Sequence, residues 1–310
     1  MKDTEIVLIC QPGELEIKSL LLAFSLRQYH QNIAHVFIPE RLLRGINKQS
    51  IRLFGNLRIE VKCFSNPYLG SRKRMLPGDP MSNKFYALQQ LETNRAVLFL
   101  DSDTLLLKEL PDFTGKPDLA MKPADAAPGV NWQGLFAQRG LVLPAERVFT
   151  TVTLESVVPY YNSGVLWIRP GLHQALARQW EEEFVFLSQA SQLKNKLFDV
   201  FHRDQLALSL VLAKRPYQVQ ALGEEMNFPV RRRARLDDAA RIAHYHDLQT
   251  LRSNPTLNTL FYKFYNESDD FRQVVKSQRP WRYFGKKQYG HLQIYLKLQR
   301  LASAIKKHLL

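Results

Sequence analysis

Two aspartates separated by one residue follow a short apolar segment at residues 97–100. Asp101 and Asp103 are spaced i, i+2, so both would leave a sheet at the carboxyl end of this predicted strand, close enough to share one hard divalent cation. Such a cation bridges two phosphate groups and neutralises a departing diphosphate. Alternatively, the two aspartates only end the strand and cap the next element. The spacing alone does not decide between a cation site and this structural role.

Alternating strand and helix patterns surround this acidic pair. A β-branched apolar run at residues 5–10 ends at a Gln-Pro-Gly turn signal, and a helical pattern follows over residues 14–29. Further predicted strands are 34–38, 57–63, 96–100, 165–168 and 242–245, and further predicted helices are 82–91, 171–187 and 203–213. This alternation predicts an α/β fold with a mainly parallel, doubly wound sheet that binds ligands beyond the carboxyl ends of its strands. Residues 111–158, rich in Pro, Gly and Ala, predict insertions and loops around a cleft.

Composition sets the class of protein. A chain of 310 residues with 45% hydrophobic content is long enough to bury one large α/β core. The chain has two cysteines, Cys10 and Cys63. This number is too small for a disulfide framework or a cysteine-based zinc site, and it favours a reducing compartment. Since no apolar run approaches about 18 residues and no signal-peptide core follows Met1, we expect a cytoplasmic protein that does not span a membrane.

The positive charge is concentrated near the carboxyl terminus. The net charge is +14, and residues 271–310 contain ten Lys or Arg and no Asp or Glu. An apolar stripe at helical spacing runs through Ile294, Leu298, Leu301, Ile305 and Leu309. We therefore expect a catalytic domain at 1–255 and a basic helical tail at 256–310, which would dock on an anionic membrane surface or pack on the domain. Nucleic acid is not expected, because no binding motif accompanies the charge.

Five segments, taken in order along the chain, resemble motifs of a single protein family. They are Ser-Asn-Lys-Phe-Tyr-Ala-Leu at 82–88, Leu-Phe-Leu-Asp-Ser-Asp-Thr at 98–104, Tyr-Tyr-Asn-Ser-Gly-Val-Leu at 160–166, Arg-Asp-Gln-Leu-Ala-Leu at 203–208 and Ile-Ala-His-Tyr at 242–245. Their order resembles the metal-dependent glycosyltransferases of the A-type fold, in particular the retaining enzymes of family 8. The resemblance implies a single-domain nucleotide-diphospho-sugar transferase fold.

The resemblance also implies a metal site. It assigns Asp101 and Asp103 to the metal and the nucleotide ribose, with Ser102 beside them in the donor site, and it makes His244 the third protein ligand of the metal. A ligand set that mixes carboxylate and imidazole suits Mn²⁺ better than Mg²⁺, which prefers oxygen ligands alone. We therefore expect Mn²⁺, with Mg²⁺ as the alternative.

Other residues acquire donor-binding and catalytic roles through the same resemblance. Lys84 would offer a positive charge to the donor phosphate or sugar. Asn162 would recognise sugar hydroxyls, and Gly164 would permit close approach of the ligand. Asp204 and Gln205 would lie beneath the donor sugar, where the carboxylate either stabilises an oxocarbenium-like transition state or attacks it covalently.

Two features depart from the family pattern. The first strand runs into Gln-Pro-Gly-Glu rather than an acidic loop containing Asn, so the base of the nucleotide stays open. The lysine that follows the metal histidine in the family is absent here, and its phosphate contact would come from Arg252 or from the arginines at positions 231, 232, 233 and 235. His246 is the alternative to His244 as metal ligand.

The sequence thus predicts a metal-dependent hexosyltransferase, retaining by family likeness, that uses a nucleotide-sugar donor (a UDP-sugar) and a glycan or lipid-linked acceptor. The alternatives are a carbohydrate-binding or membrane-binding module that keeps the fold without catalysis, and a nucleotidyltransferase that makes nucleotide-sugars. A phosphatase of the haloacid dehalogenase type is disfavoured, because Asp103 is followed by Thr104 and then Leu105 rather than by Thr or Val two residues beyond.

Overall fold

The computed structural model describes residues 3–67, 80–113, 117–190, 202–233 and 236–278. The strands of these residues are β1 (Thr4–Ile9), β2 (Ala34–Pro39), β3 (Glu60–Phe64), β4 (Ala96–Leu100), β5 (Thr104–Leu106), β6 (Leu119–Pro123), β7 (Val148–Phe149), β8 (Ser156–Val157), β9 (Tyr161–Ile168), β10 (Val219–Ala221), β11 (Phe228–Pro229) and β12 (Ile242–His244). Their α-helices are α1 (Glu14–Tyr29), α2 (Lys48–Asn56), α3 (Asn83–Gln90), α4 (Trp132–Gln138), α5 (His173–Ala190), α6 (Arg203–Lys214), α7 (Leu248–Ser253), α8 (Pro255–Glu267) and α9 (Asp269–Ser277). None of these helices combines the length and the apolar character that crossing a membrane requires.

A seven-stranded sheet forms the centre of the described chain. Its strand order is β10-β6-β9-β4-β1-β2-β3, and every neighbouring pair is parallel except the two that contain β9. The predicted α/β class, with a mainly parallel sheet in one domain, is confirmed. A smaller sheet, β11-β12-β5, lies beside it, with β12 antiparallel to β5.

Strand β1 shows why this segment occupies the middle of the sheet. Its apolar residues are buried on both sides: Ile6 and Leu8 belong to one core cluster, and Val7 and Ile9 belong to the other. Successive side chains of a strand point to opposite faces, so a continuous apolar run requires cover on both faces.

Helices supply this cover on each face. Helices α1, α2, α8 and α9 contribute to the first cluster, and α3, α5 and α6 contribute to the second. The Phe264 ring of α8 stacks on Phe24 of α1 at 4.2 Å between centroids and on Phe271 of α9 at 4.1 Å. The predicted domain boundary at residue 255 stays a prediction, and the predicted amphipathic helix at 294–309 lies outside the described residues.

The prediction of insertions and loops over residues 111–158 is wrong in part, because β6 is a strand of the main sheet. A lysine and a proline at its end hid the strand pattern. The Lys122 side chain is fully buried, and its ammonium group donates to the Asp125 carboxylate and, at 3.1 Å, to Thr151 Oγ1. These partners stabilise a charge that a strand interior otherwise excludes.

The apolar pattern predicts strand β9 at residues 165–168, and the strand begins four residues earlier, within the motif at 160–166. Because β9 is antiparallel to β4, it begins at the edge of the sheet where β4 ends. Leu100 pairs with Val165, so the first residues of β9 lie beside the turn that follows β4. The topology therefore brings two predicted motifs to one sheet edge.

Candidate active site

The turn between β4 and β5 carries the acidic pair. Thr104 donates to Asp101 O from its backbone nitrogen at 3.0 Å and from Oγ1 at 2.7 Å. Ser102 Oγ donates to Ile9 O at 2.6 Å, which ties the turn to the end of β1. Both Asp101 and Asp103 line the adjacent cleft.

Gly164 lies at the centre of this site. Asp101 N donates to Gly164 O at 2.8 Å, which extends the pairing of β4 with β9 by one residue. A Cβ atom at position 164 would lie 3.0 Å from Asp101 Oδ2 and 2.9 Å from His244 Cε1. The absence of a side chain therefore lets the acidic turn and β12 approach each other.

Three side chains form a group suited to a cation. Possible ligand atoms of Asp103, His244 and His246 lie within 4.8 Å of one another. His244 Nε2 is 3.1 Å from Asp103 Oδ1, and the two imidazole rings are 3.9 Å apart between centroids. His246 has a left-handed backbone (φ 59°), and Lys18 Nζ donates to its carbonyl oxygen at 2.6 Å. This bond holds a conformation that residues other than glycine rarely adopt.

Burial and neighbouring charges shift the pKa values of this group. Burial alone would raise the pKa of Asp103, but the neighbouring His244 side chain outweighs burial and holds that pKa well below the usual range. Burial, reinforced by the neighbouring His244, lowers the pKa of His246 to about 4. At neutral pH the site thus offers a carboxylate and a neutral imidazole, both suited to metal binding.

Lys84 lies on the other side of Asp101 and joins two carboxylates. Its Nζ atom donates to Asp101 Oδ2 at 2.9 Å, to Asp204 Oδ2 at 2.9 Å and to Ser163 Oγ at 3.0 Å. Ser163 Oγ donates to Asp204 Oδ2 at 2.6 Å. The ammonium group therefore connects α3 with the acidic turn, with β9 and with the first turn of α6.

The electrostatics of this network favour a charged lysine and an ionised Asp204. Burial alone would lower the pKa of Lys84, but the two carboxylates outweigh it and raise that pKa above its usual range. Burial alone would raise the pKa of Asp204, but Lys84 and the hydrogen bond from Ser163 lower it. Burial raises the pKa of Asp101, opposed by Lys84 and reinforced by the nearby charge of Asp103.

A cleft of about 750 Å³ contains nearly all of the predicted site residues. Those that line it are Lys84, Asp101, Ser102, Asp103, Asn162, Asp204, Gln205, Arg231, Arg232, His244 and His246. Arg252 lies in the last turn of α7 and is not among the lining residues of the described chain. Arg233 forms an ion pair with Glu224 at 2.6 Å, and Arg235 lies outside the described residues.

Sequence reasoning missed three parts of the site. Ser163 joins the Lys84 network, and Asn227 contacts His244 Nδ1 through its Oδ1 atom at 3.0 Å. Asp125 lines the cleft on the segment that follows β6. The serine stood inside a recognised motif. Asn227 directly precedes β11, a strand too short to recognise, and Asp125 follows β6, whose pattern is interrupted.

A comparison with protein families decides the class of enzyme. The family described as the Rhodobacterales glycosyltransferase domain matches residues 6–215, more than half of the chain. The chain belongs to this family. It is therefore a glycosyltransferase. No curated protein sequence matched the chain.

Solved structures share the fold of this glycosyltransferase. The galactosyltransferase LgtC, solved with donor and acceptor sugar analogues, has a TM-score of 0.52 at 13% identity over 87% of this chain and 100% of its own. The bifunctional glycosyltransferase WbbM has a TM-score of 0.54 at 12% identity over 90% of this chain. The apo form of GlyE from Streptococcus pneumoniae TIGR4 has a TM-score of 0.50 at 14% identity over 89% of this chain. The chain spans 52% of the WbbM chain and 63% of the GlyE chain. The A-type glycosyltransferase fold predicted from the sequence is confirmed.

Proposed function

We propose that this glycosyltransferase is metal-dependent and transfers a hexosyl group, with retained anomeric configuration, from a UDP-sugar to a glycan or lipid-linked acceptor. One observation carries the proposal. The group of Asp103, His244 and His246 lies in the same cleft as the Lys84 and Asp204 network. The proposed sites for the diphosphate and for the sugar would thus adjoin each other.

The residues present fit a divalent cation. The group offers one carboxylate oxygen and two imidazole nitrogens, a set that favours Mn²⁺ over Mg²⁺. Asp101, the other predicted ligand, accepts from Lys84 through Oδ2 and is not part of that group. A bound cation would offset the negative charge of the departing diphosphate. Asp103, His244 and His246 would hold it, with Asp101 beside them.

Asp204 would stabilise positive charge on the donor sugar rather than attack it. Its Oδ2 atom already accepts hydrogen bonds from Lys84 and Ser163, and a carboxylate engaged in this way is a weak nucleophile. Its lowered pKa keeps the carboxylate ionised at neutral pH. An anion fixed in a buried position stabilises a developing oxocarbenium ion without reorganisation. Gln205, which is partly exposed in the cleft, would contact the sugar directly.

The arginines of the cleft suit the phosphate contact that the missing family lysine would make. Arg231 and Arg232 are exposed and line the cleft, whereas Arg252 does not line it. Arginine forms paired hydrogen bonds with phosphate oxygens. We therefore assign the diphosphate contact to this pair.

Replacement of Asp103 tests the metal-dependent reaction. In Asp103→Ala, we expect Mn²⁺-dependent release of nucleoside diphosphate from the nucleotide-sugar to fall by at least about 100-fold, because a charged group of the cation site is lost. The melting temperature should change little, since the side chain lines a cleft. Asp238→Ala, at an exposed aspartate, is the matched control. Undiminished turnover in Asp103→Ala would contradict the proposal.

The donor and the stereochemistry are tested separately. A panel of nucleotide-sugars assayed with Mn²⁺ should single out one UDP-sugar. Proton NMR coupling constants of the product should match the anomeric configuration of that donor. An inverted product would refute retention and leave the metal proposal intact.

A further inference from the structure

A chain of hydrogen bonds runs from the backbone of β9 to the imidazole of His244. Gly164 N donates to Asn162 Oδ1 at 2.8 Å, and Asn227 Nδ2 donates to the same oxygen at 3.0 Å. Asn227 Oδ1 lies 3.0 Å from His244 Nδ1. Asn227 is 1% exposed, so water does not replace these partners.

The backbone N–H of Gly164 fixes the direction of every later hydrogen bond in this series. A backbone N–H only donates, so Asn162 must turn its amide oxygen toward Gly164. Asn227 must then present its NH₂ group to that oxygen, because two amide oxygens would otherwise face each other. Its own oxygen therefore faces His244 Nδ1, which must carry a proton.

This order of donors leaves a defined atom on the cleft side of His244. With the proton on Nδ1, the Nε2 atom faces Asp103 Oδ1 at 3.1 Å, within the group suited to a cation. Metal-binding histidines commonly donate their other ring N–H to an oxygen acceptor, and loss of that acceptor costs about 10-fold to 100-fold in metal affinity.

We infer that Asn227 is a positioning residue that keeps Nε2 of His244 available to the cation. The same order of donors leaves the NH₂ group of Asn162 for the sugar contact that the family resemblance implies. The inference rests on the proposed function of the site. The oxygen of Asn162 is already used twice, and within the described residues no partner of its Nδ2 atom occurs. Asn162 lines the cleft with that nitrogen as its remaining polar atom.

Mn²⁺ binding to the metal-free protein tests Asn227, with free Mn²⁺ measured by electron paramagnetic resonance. Asn227→Ala should bind Mn²⁺ about 10-fold to 100-fold more weakly than the natural protein. Asn227→Asp keeps an oxygen for His244 Nδ1, but its second oxygen would face Asn162 Oδ1. It should therefore bind Mn²⁺ more weakly than the natural protein and more tightly than Asn227→Ala. Asn56→Ala, at an exposed asparagine, should bind like the natural protein.

Asn162→Asp tests the sugar contact. The substitution keeps an oxygen for Gly164 and Asn227 and replaces the amide nitrogen by an acceptor. Mn²⁺ and nucleoside diphosphate should bind no more weakly than in the natural protein, whereas KM for the nucleotide-sugar should rise about 10-fold. An unchanged KM would overturn the assignment of Asn162.

The outcomes separate this inference from the proposed function. If Asn227→Ala has a native circular dichroism spectrum and binds Mn²⁺ as tightly as the natural protein, the role of Asn227 is refuted and the metal site stands. Equal weakening in Asn227→Asp and Asn227→Ala would also refute it. If the natural protein binds no Mn²⁺, both the metal site and the role of Asn227 fail.

Discussion

Position 164 shows how little space separates the residues of the site. In Gly164→Ala, the new methyl group would lie 3.0 Å from Asp101 Oδ2, and Lys84 holds that carboxylate in place. It would also lie 2.9 Å from the His244 ring, which Asn227 holds. We expect turnover to fall at least about 100-fold and stability to fall by about 1–3 kcal/mol, as overpacking does elsewhere.

The matched control is Gly129→Ala, because a Cβ at position 129 meets no atom within 4 Å. Both variants would be compared by turnover number and by urea denaturation. Full activity in Gly164→Ala would show that the acidic turn and β12 separate easily, against the close packing described for the site.

Lys84 is expected to affect stability as well as activity. In Lys84→Met, the buried Asp204 carboxylate and the partly exposed Asp101 carboxylate would lose their cation, and breaking a buried pair such as Lys84–Asp204 typically costs about 3–5 kcal/mol. The loss should be measured by urea denaturation at pH 7. Lys48→Met, at an exposed lysine, should stay within about 0.5 kcal/mol of the natural protein.

The destabilisation by Lys84→Met should also depend on pH. Lys84 lowers the pKa of Asp204 in the folded protein, and a lowered pKa contributes stability above the unfolded pKa that is lost as the pH falls through the folded pKa. Without the lysine, protonation of the carboxyl group relieves the buried charge. The difference in the free energy of unfolding between Lys84→Met and the natural protein should therefore narrow below about pH 4. A difference that grows on acidification would contradict this network.

At the scale of elements, local pattern predicted part of the fold and chain topology supplied the rest. Helix α1 and strand β4 have the bounds that the sequence predicted, because a Pro-Gly turn precedes α1 and the apolar run of β4 is uninterrupted. Strand β6 was missed because Lys122 breaks its pattern, and Asp125 and Thr151 compensate the charge only in the folded chain. Long-range partners of this kind are absent from local sequence.

The same distinction holds for the candidate site. The sequence predicted that Asp101, Asp103, Asp204 and His244 belong to one site, since each stood in a motif at the start or end of an element, and all four line the cleft. It did not predict Asn227, whose two-residue neighbour β11 carries no periodicity. Nor did it show that Lys84 contacts both Asp101 and Asp204, because that contact depends on how α3 and α6 approach the sheet.

Helix α2 begins at a buried carboxylate of another helix. Glu16 of α1 is fully buried and accepts from Asn47 N at 2.8 Å, from Asn47 Nδ2 at 2.9 Å and from Ser50 Oγ at 2.5 Å. Gln278, which follows α9, donates to it at 3.2 Å. The carboxylate therefore joins three helices on one face of the sheet.

Glu16→Ala should destabilise the protein by about 2–4 kcal/mol, because buried donors lose their acceptor. Urea denaturation measures the loss, and Glu40→Ala, at an exposed glutamate, is the control. Turnover at a temperature where both proteins are folded should change little, since Glu16 does not line the cleft. Destabilisation below about 0.5 kcal/mol would show that water satisfies these donors.

For the whole molecule, the distribution of charge bears on the membrane attachment that would bring the enzyme to the proposed lipid-linked acceptor. Residues 279–310 contain eight of the Lys and Arg residues and no Asp or Glu. Each basic residue near an anionic membrane surface contributes about 1 kcal/mol of attraction. We propose that this segment attaches the enzyme to such a surface.

A truncation that tests this proposal must preserve α9, because Phe271, Val274 and Val275 are buried in the core. The chain ending at Gln278 keeps these residues and the contact with Glu16. We expect the full chain to sediment with vesicles containing phosphatidylserine, and the truncated chain to remain in the supernatant.

Binding of the full chain to these vesicles should weaken as the salt concentration rises, because salt screens the attraction. A full chain in which Lys297, Arg300, Lys306 and Lys307 are replaced by Gln should bind more weakly. Equal sedimentation of the full and truncated chains would place the membrane contact elsewhere or exclude it, and retained turnover on a soluble acceptor would confirm that the truncated enzyme is folded.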